Sequence, residues 1–340
     1  MFISPLHLYG YECYHSLELD MKIIITGGAG FLGSHLCERL IDKGHQIICI
    51  DNLLKGKLEN LEKLKTNPNF QFFNIDVTIP EMLNLNLQAD QIYHLASVCS
   101  PNPFRPINIH KLPFETMRVN TFGTWQLCEM AMKNGAKFLF ASTSEVYGNP
   151  LEHPQKEDYK GNVSTTEPRS VYDEAKRFGE TIVSTFVRSR RLDGRIVRIF
   201  NTYGPKMNLD DGRVVIEFLG AALTNKPLYI FGDGTQTRSF CYVSDLIEGL
   251  IAAMEKGQTG NVYNLGNPEE ISVLDLAYLI KKVAKSDSKI QFRTMPFEEK
   301  GQTLRRKPDI LKAKKILRWS PMIKLEDGLN KTVDFINNQL

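Results

Sequence analysis

At 340 residues the chain is long for one domain and short for three, which points to one large α/β domain with a smaller appendage. An apolar share of 42% provides for a sizeable core, while a net charge of +3 with only short basic clusters, such as those at Arg188–Arg191 and Lys312–Lys315, argues against a nucleic-acid partner. The six cysteines (Cys13, Cys37, Cys49, Cys99, Cys128, Cys241) show no CxxC spacing and no apolar run approaches the ~20 residues that cross a bilayer, so reduced thiols in the cytoplasm, no bound metal and no membrane partner are expected.

Residues 1–20 lack the basic start and continuous apolar stretch of a secretory signal. Met21 then opens a strand directly, so either Met21 is the natural first residue or 1–20 is an accessory extension without chemistry. From Lys22 onward, β-branched runs alternate with helical patterns: Ile23-Ile24-Ile25, then Phe31 to Asp42, then Gln46 to Ile50. Such alternation predicts a parallel, doubly wound sheet. Further strands are expected at Phe70–Asn74, Gln91–Leu95, Lys137–Ala141 and Arg195–Ile199, with long helices near Phe114–Lys133 and Ser170–Ser189. Beyond Asn201 the elements shorten and Gly and Pro recur, as in Tyr203-Gly204-Pro205 and Gly232-Asp233-Gly234, which marks a second, substrate-covering region. Ser272-Val273-Leu274-Asp275 resembles a capping box for a helix reaching about Ala284, and a last amphipathic helix is expected from Leu325 to Asn337.

Thr26-Gly27-Gly28-Ala29-Gly30-Phe31-Leu32-Gly33 follows a strand and opens a helix, the place where a pyrophosphate meets backbone amides and a helix N-terminus. Asp51 ends the next strand, 18 residues after Gly33, where a carboxylate accepts the ribose hydroxyls of an adenosine and repels a 2′-phosphate. NAD rather than NADP is therefore the expected cofactor, with Lys55 and Lys57 close enough to soften the preference. The fold class that follows is α/β, a Rossmann-type doubly wound parallel sheet with a smaller C-terminal α/β substrate-binding region. Residues 21–200 form the NAD-binding domain, 241–267 return to it, and 201–240 with 268–340 form the substrate region.

Tyr172-Asp173-Glu174-Ala175-Lys176 puts a phenol and an ammonium on one helical face. A free tyrosine, with a pKa of about 10, is a poor base near neutrality, and a neighbouring positive charge is expected to lower it. Tyr172 could then take a proton from a sugar hydroxyl as a hydride leaves the same carbon. Upstream, Ala141-Ser142-Thr143-Ser144-Glu145-Val146-Tyr147-Gly148 carries hydroxyls and a carboxylate at a strand's C-terminal end, where open α/β sheets bind ligands.

Together these residues resemble the extended short-chain dehydrogenase/reductases across 21–338, and in detail the UDP-glucuronate decarboxylases, the UDP-xylose synthases. The matching runs include Asp51-Asn52 with Gly56 and Asn60, Gly161-Asn162-Val163, and Pro168-Arg169-Ser170-Val171-Tyr172-Asp173-Glu174-Ala175-Lys176-Arg177. Others are Arg198 to Pro205, Asp210-Asp211-Gly212-Arg213-Val214-Val215, Gly232 to Val243, and Arg306-Lys307-Pro308-Asp309. The resemblance implies a cofactor wall of Gly27, Gly30, Phe31, Leu32, Gly33, Asp51, Asn52, Asp76, Val77, Leu95, Ala96, Ser97, Asn120 and Ser142, completed by Tyr172 and Lys176. It implies Tyr172 as base at C4, Lys176 as its support and a nicotinamide-ribose ligand, and Thr143 positioning the C4 hydroxyl. Glu145, Arg238 and Ser144 would govern decarboxylation of the 4-keto sugar and reprotonation at C5. Asn201, Arg213, Val214, Tyr242 and Arg306, with Arg238, would hold the UDP-sugar, and the helices near 114–133 and 170–189 would pair in a homodimer.

Related enzymes set the alternatives. The 4,6-dehydratases carry Asp-Glu where this chain has Ser144-Glu145, and many 4-epimerases carry a small or hydroxyl residue in place of Glu145. A non-catalytic NAD-binding regulator would commonly lack the tyrosine or the lysine. One segment departs from the decarboxylases: Ala96 to Lys111 is longer than their loop and lacks its His-Tyr pair. Arg105 or His110 is the candidate substitute, and a variant hexuronate or another C4-oxidised nucleotide sugar stays open.

Overall fold

The computed structural model describes residues 20–294 and 305–338, so the expected N-terminal extension lies almost wholly outside the described residues. Strands β1 (Lys22–Thr26), β2 (Gln46–Asp51), β3 (Phe70–Asn74), β4 (Gln91–His94), β5 (Lys137–Thr143) and β6 (Gly194–Ile199) follow in chain order. The short β7 (Thr202–Tyr203), β8 (Leu228–Phe231), β9 (Thr237–Ser239) and β10 (Cys241–Tyr242) come next. β11 (Val262–Leu265), β12 (Glu270–Ser272), β13 (Ile290–Arg293) and β14 (Arg305–Arg306) complete the strands of the described residues.

The central sheet has seven strands in the order β11-β6-β5-β4-β1-β2-β3, every pairing parallel. Parallel strands covered on both faces read as unbroken apolar runs, and Ile23, Ile24 and Ile25 in β1 are fully buried. The chain leaves β1 toward β2 and β3, then crosses back to β4 on the other side. That reversal opens a crevice beyond the C-terminal ends of β1 and β4, the general ligand position in such sheets.

Helices α1 (Phe31–Asp42), α2 (Glu81–Asn84), α3 (Pro113–Arg118), α4 (Thr124–Asn134), α5 (Ser170–Arg190), α6 (Val214–Leu223), α7 (Val243–Lys256), α8 (Val273–Val283) and α9 (Leu325–Asn337) complete the fold. One apolar cluster joins Leu36 of α1 and Leu250 of α7 to one face of the sheet, and a second joins Leu127 of α4 and Ile182 of α5 to the other. Each face therefore has its own core. The capping box is present, with Ser272 Oγ accepting from the Asp275 amide at 3.0 Å, and α9 spans Leu325–Asn337 as its amphipathic pattern predicts. The helix expected near 114–133 is instead α3 and α4 joined by a π-helical turn at Val119–Gly123. Side-chain to backbone bonds brace this turn, Asn120 Nδ2 donating to Thr116 O at 2.8 Å and Thr124 Oγ1 donating to Asn120 O at 2.8 Å. One extra residue per turn does not disturb an apolar pattern enough to show in sequence.

Beyond β6 the chain builds small sheets around the crevice: β13 beside β8, and β9 between β12 and β14. β11 returns to the central sheet next to β6. Tight backbone contact fixes the start of α1, since a Cβ on Gly33 would lie 2.1 Å from Gly27 O and 2.6 Å from Gly28 Cα. Neither atom can move without displacing β1. Gly33→Ala is expected to lower stability by about 3 kcal/mol, an overpacking cost, read from denaturant unfolding; a loss below about 0.5 kcal/mol would contradict that contact.

Candidate active site

Two cavities meet in the crevice. The first, about 1010 Å³, is walled by Gly27, Gly30, Phe31, Leu32, Gly33, Asp51, Asn52, Asp76, Val77, Leu95, Ala96 and Ser97, with Lys55, Cys99 and residues 206–211 on its far side. The second, about 660 Å³, is walled by Glu145, Arg169, Asp173, Asn201, Val214, Tyr229, Arg238 and Arg306 among others. Met207 and Arg213 belong to both walls, so the cavities are neighbours.

The first cavity is shaped for a dinucleotide. Gly27 has φ +72°, and a Cβ on Gly30 would meet nothing closer than Gly27 O at 3.1 Å, so backbone is left bare where the cavity touches α1. The N-terminus of α1 has no side-chain cap and no acidic residue in its first turn, which leaves its amides and dipole for an anion. Asp51 accepts from Ala29 N at 3.1 Å through one oxygen and from Leu53 N at 2.8 Å through the other. Burial nevertheless raises its pKa, so a pair of ribose hydroxyls donating to it would be favourable. These residues fit NAD.

Tyr172 is in neither cavity wall but interacts with residues of both. Its ring packs with Val98 and Ile109, and Thr143 lies close enough to favour its phenolate. Cys99 of the first cavity and Glu145 and Asp173 of the second face it electrostatically. Lys176 Nζ donates to Ala141 O at 2.7 Å and lies 4.8 Å from the centre of the Phe140 ring. Burial pulls the Lys176 ammonium down to about 8. Contrary to the sequence expectation, the phenol of Tyr172 is raised, not lowered: burial is the largest cause, Cys99 adds to it, and Thr143 offsets it in part. Lys176 spends its charge on a carbonyl and an aromatic face, so desolvation of the phenol prevails.

Glu145 sits in the short helical turn after β5, which Thr143 caps by accepting from Glu145 N at 3.2 Å. Its carboxylate receives Arg169 NH2 at 2.8 Å and Arg306 NH1 at 2.9 Å. Burial would raise its pKa, but Arg306, Arg169 and Arg238 together lower it. Arg306 also donates to Ser144 Oγ at 3.3 Å and Gly148 O at 3.1 Å, so this arginine, read in sequence as a UDP ligand, holds Glu145 and Ser144 in place. Arg238 and Arg306 are register partners on β9 and β14, which puts the two cations side by side.

Of the residues named from sequence, Thr143, Ser144, Tyr172 and Lys176 lie off these walls, as do Ser142, Asn120 and Tyr242. Ser142 Oγ donates to Glu180 Oε1 at 2.6 Å, and Glu180 is bound by Arg198, so Ser142 belongs to a buried ionic network and not to the cofactor wall. Asn120 is fully buried in the π-helical turn, where its amide serves Thr116. Tyr242 packs edge-on to Tyr203 and against α9, behind the second cavity. For Ser142 and Asn120 the residue type suited a ligand, but a nearer internal partner took it. Nor do the two substitutes for the missing His-Tyr pair reach into the cavity unengaged. Arg105 pairs with Glu217 of α6 and with Asp210, at 3.2 Å, while His110 Nε2 bonds Pro101 O at 3.1 Å. The loop they fix supplies a wall through Pro101, Asn102, Pro103 and Phe104.

Sequence reasoning passed over Arg169 and Asp173. Both lie inside the quoted Pro168-to-Arg177 run, and their helical offsets from Tyr172 were the available signal. Asp173 is buried, its Oδ1 has no hydrogen-bond partner, and burial followed by repulsion from Glu145 raises its carboxyl to about 7.

With this geometry in place, the matches to known proteins can be read. Residues 23–266 match the NAD dependent epimerase/dehydratase family. The chain belongs to that family. It is similar to UDP-glucuronic acid decarboxylase 1 of Arabidopsis thaliana, 46% identical over 94% of this chain and 71% of that one. UDP-glucuronic acid decarboxylase 1 of Danio rerio is 45% identical over 95% of this chain and 74% of its own. Among solved structures, the UDP-glucuronic acid 4-epimerase of Bacillus cereus in complex with UDP-glucuronic acid and NAD matches with a TM-score of 0.82 and 32% identity, over 94% of this chain and 100% of that one. The family uses NAD, which the residues of the first cavity fit.

Asp173 gives a test by pH. Its folded-state pKa lies above its unfolded value, so the folded form holds the proton more tightly and stability falls as pH climbs from about 4 through about 7. Asp173→Asn should therefore stabilise by on the order of 2 kcal/mol at pH 8 and by almost nothing at pH 4. Unfolding curves with the same increment at both pH values would assign the raised carboxyl elsewhere.

Proposed function

We propose that this chain decarboxylates UDP-glucuronate to UDP-xylose through a 4-keto sugar, regenerating NAD in each cycle. The observation that carries the reading is the Glu145 cluster, a carboxylate among Arg169, Arg238 and Arg306 beside the Tyr172 phenol. A sugar bearing both a carboxylate and a diphosphate suits such a concentration of guanidinium charge. The curated relatives named above act on that sugar.

Tyr172 and Thr143 are neighbours, so a C4 hydroxyl entering beside them meets a donor and an acceptor at once. Tyr172 takes the hydroxyl proton as C4 is oxidised. Bound along the glycine-rich wall, NAD supplies the hydride acceptor for C4 and later the hydride donor. Lys176, one turn further along the same helix and held on Ala141 O, is assigned to the nicotinamide ribose and not to the phenol itself. Oxidation makes C6 the carboxyl of a β-keto acid, so when the C5–C6 bond breaks its electron pair moves into an enolate on the C4 oxygen and CO₂ leaves. Arg238 and the pair Glu145 with Arg306 surround that carbon's position and direct the proton that returns to C5. Ser144, held by Arg306, offers a hydroxyl where a dehydratase needs a carboxylic acid.

The protein is read as a homodimer. Phe114, Met117, Phe122 and Trp125 on α3, the π turn and α4 are 38–68% exposed, and Phe178 on α5 is 55% exposed. An apolar stripe of this size on adjoining helices suits a partner of the same chain. A cytoplasmic setting is supported by the free thiols of Cys37, Cys49, Cys99, Cys128 and Cys241. No helix of the described residues is long and apolar enough to cross a membrane.

Incubation with UDP-glucuronate should release CO₂ and yield a UDP-pentose; formation of UDP-galacturonate or a 4-keto-6-deoxy sugar instead would overturn the assignment. Tyr172→Phe should cut turnover by about 10²- to 10⁴-fold while the protein retains bound NAD, and Glu145→Gln or Arg238→Ala should depress CO₂ release more than the first reduction of NAD. Equal losses in both steps would refute the division of labour. Trp125→Glu should shift the sedimenting species from dimer to monomer, and an unchanged dimer would place the interface on another face.

A further inference from the structure

Segment 206–213 walls the dinucleotide cavity and ends in Arg213, which also walls the sugar cavity. Both ends of this strap are tied to the dinucleotide-binding half. At one end Lys206 Nζ lies 2.8 Å from Glu38 Oε1 of α1 and donates to Asn60 O at 2.9 Å. At the other, Asp211 is buried between two cations, Lys55 Nζ at 2.9 Å and the Nε and NH2 of Arg213, the latter at 3.0 Å. Lys55 comes from the loop after β2, four residues beyond Asp51, and its ammonium is itself buried. Arg213 is the residue that precedes α6. Ser100 donates to the Asp211 carbonyl and Arg105 pairs with Asp210, so the long 96–111 loop rests on the same strap.

We infer that Asp211 is a positioning residue that couples the two cavities: through the Lys55–Asp211–Arg213 chain, a nucleotide diphosphate in the sugar cavity slows escape of the dinucleotide. The inference rests on the substrate reading above. Asp211 engages Arg213 through Nε and NH2, which leaves NH1 outside the pair for an anion. An anion on that guanidinium fixes the strap, which is one wall of the cavity the dinucleotide must leave. A carboxylate buried between two cations holds both, because releasing either leaves uncompensated charge away from water. The reaction has use for such a link, since the reduced cofactor must remain until C4 takes its hydride back, and that interval coincides with an occupied sugar cavity.

Coupling between sites is reciprocal, which supplies a readout that a purely structural ion pair would not move. The holoenzyme is loaded with NADH, and its release is followed by the fall in bound-cofactor fluorescence after excess NAD is added, with and without UDP as the probe. In the wild type UDP is expected to slow release about tenfold and to tighten NADH binding, and NADH to tighten UDP binding in calorimetry by the same equilibrium factor. Lys55→Gln should bring both factors to within about twofold of unity while UDP still binds, and Lys55→Arg should restore them. Asp211→Asn should lose the coupling as well. Undiminished factors in Lys55→Gln would overturn the inference with the substrate reading intact. Failure of the wild type to bind UDP would remove both.

Discussion

One carboxylate makes the catalytic cavity possible. Arg169, Arg238 and Arg306 arrive from the start of α5, from β9 and from β14, segments far apart in sequence, and without Glu145 their charges would repel one another in a site largely withdrawn from water. Glu145 binds two of them directly and lowers the cost of the third. Three guanidinium charges less one carboxylate leave two, and Asp173, raised to about 7, removes only part of one of them near neutrality. The cavity thus keeps a positive remainder for an anionic substrate.

The same arrangement explains why the phenol is raised in the protein by itself. Burial, Glu145 and Asp173 all disfavour a negative charge on Tyr172, while Lys176 is turned to Ala141 O and Phe140. The phenol therefore keeps its proton until the bound ligands change the local field. A base that ionises only when the reactants are assembled is less exposed to wasteful proton exchange, and its useful pKa belongs to the complex.

Much of the fold was legible because it depends on local chemistry. The three isoleucines of β1, the glycines before α1 and the Ser272 cap each state their structure within a few residues, and α1 and α9 have the limits that their apolar periods gave. Parallel order at the centre follows from alternation of strands and helices. What escaped depends on contacts between distant segments. Nothing near Ser142 foretells that Glu180 and Arg198 will claim its hydroxyl, nothing near Tyr242 places it behind the cavity, and the π-helical turn at Val119–Gly123 leaves the apolar pattern intact. Asp211 and Lys55 are 156 positions apart, and neither is conspicuous until the strap brings them together.

The atypical 96–111 loop changes what determines the sugar. Its two polar candidates are engaged, Arg105 with Glu217 and Asp210 and His110 with Pro101 O, so although Arg105 stands in the sugar-cavity wall its charge is largely met within the protein, and the loop adds shape through Pro101, Asn102, Pro103 and Phe104. Recognition of that carboxylate then falls to the arginines gathered by Glu145. Because a carboxylate on the substrate and the carboxylate of Glu145 compete for the same guanidinium groups, a neutral hexose leaves the cluster as it is and gains nothing from it, whereas a uronic acid can draw one arginine to itself. Selection for a C6 carboxylate thus follows from how the cluster divides its charge.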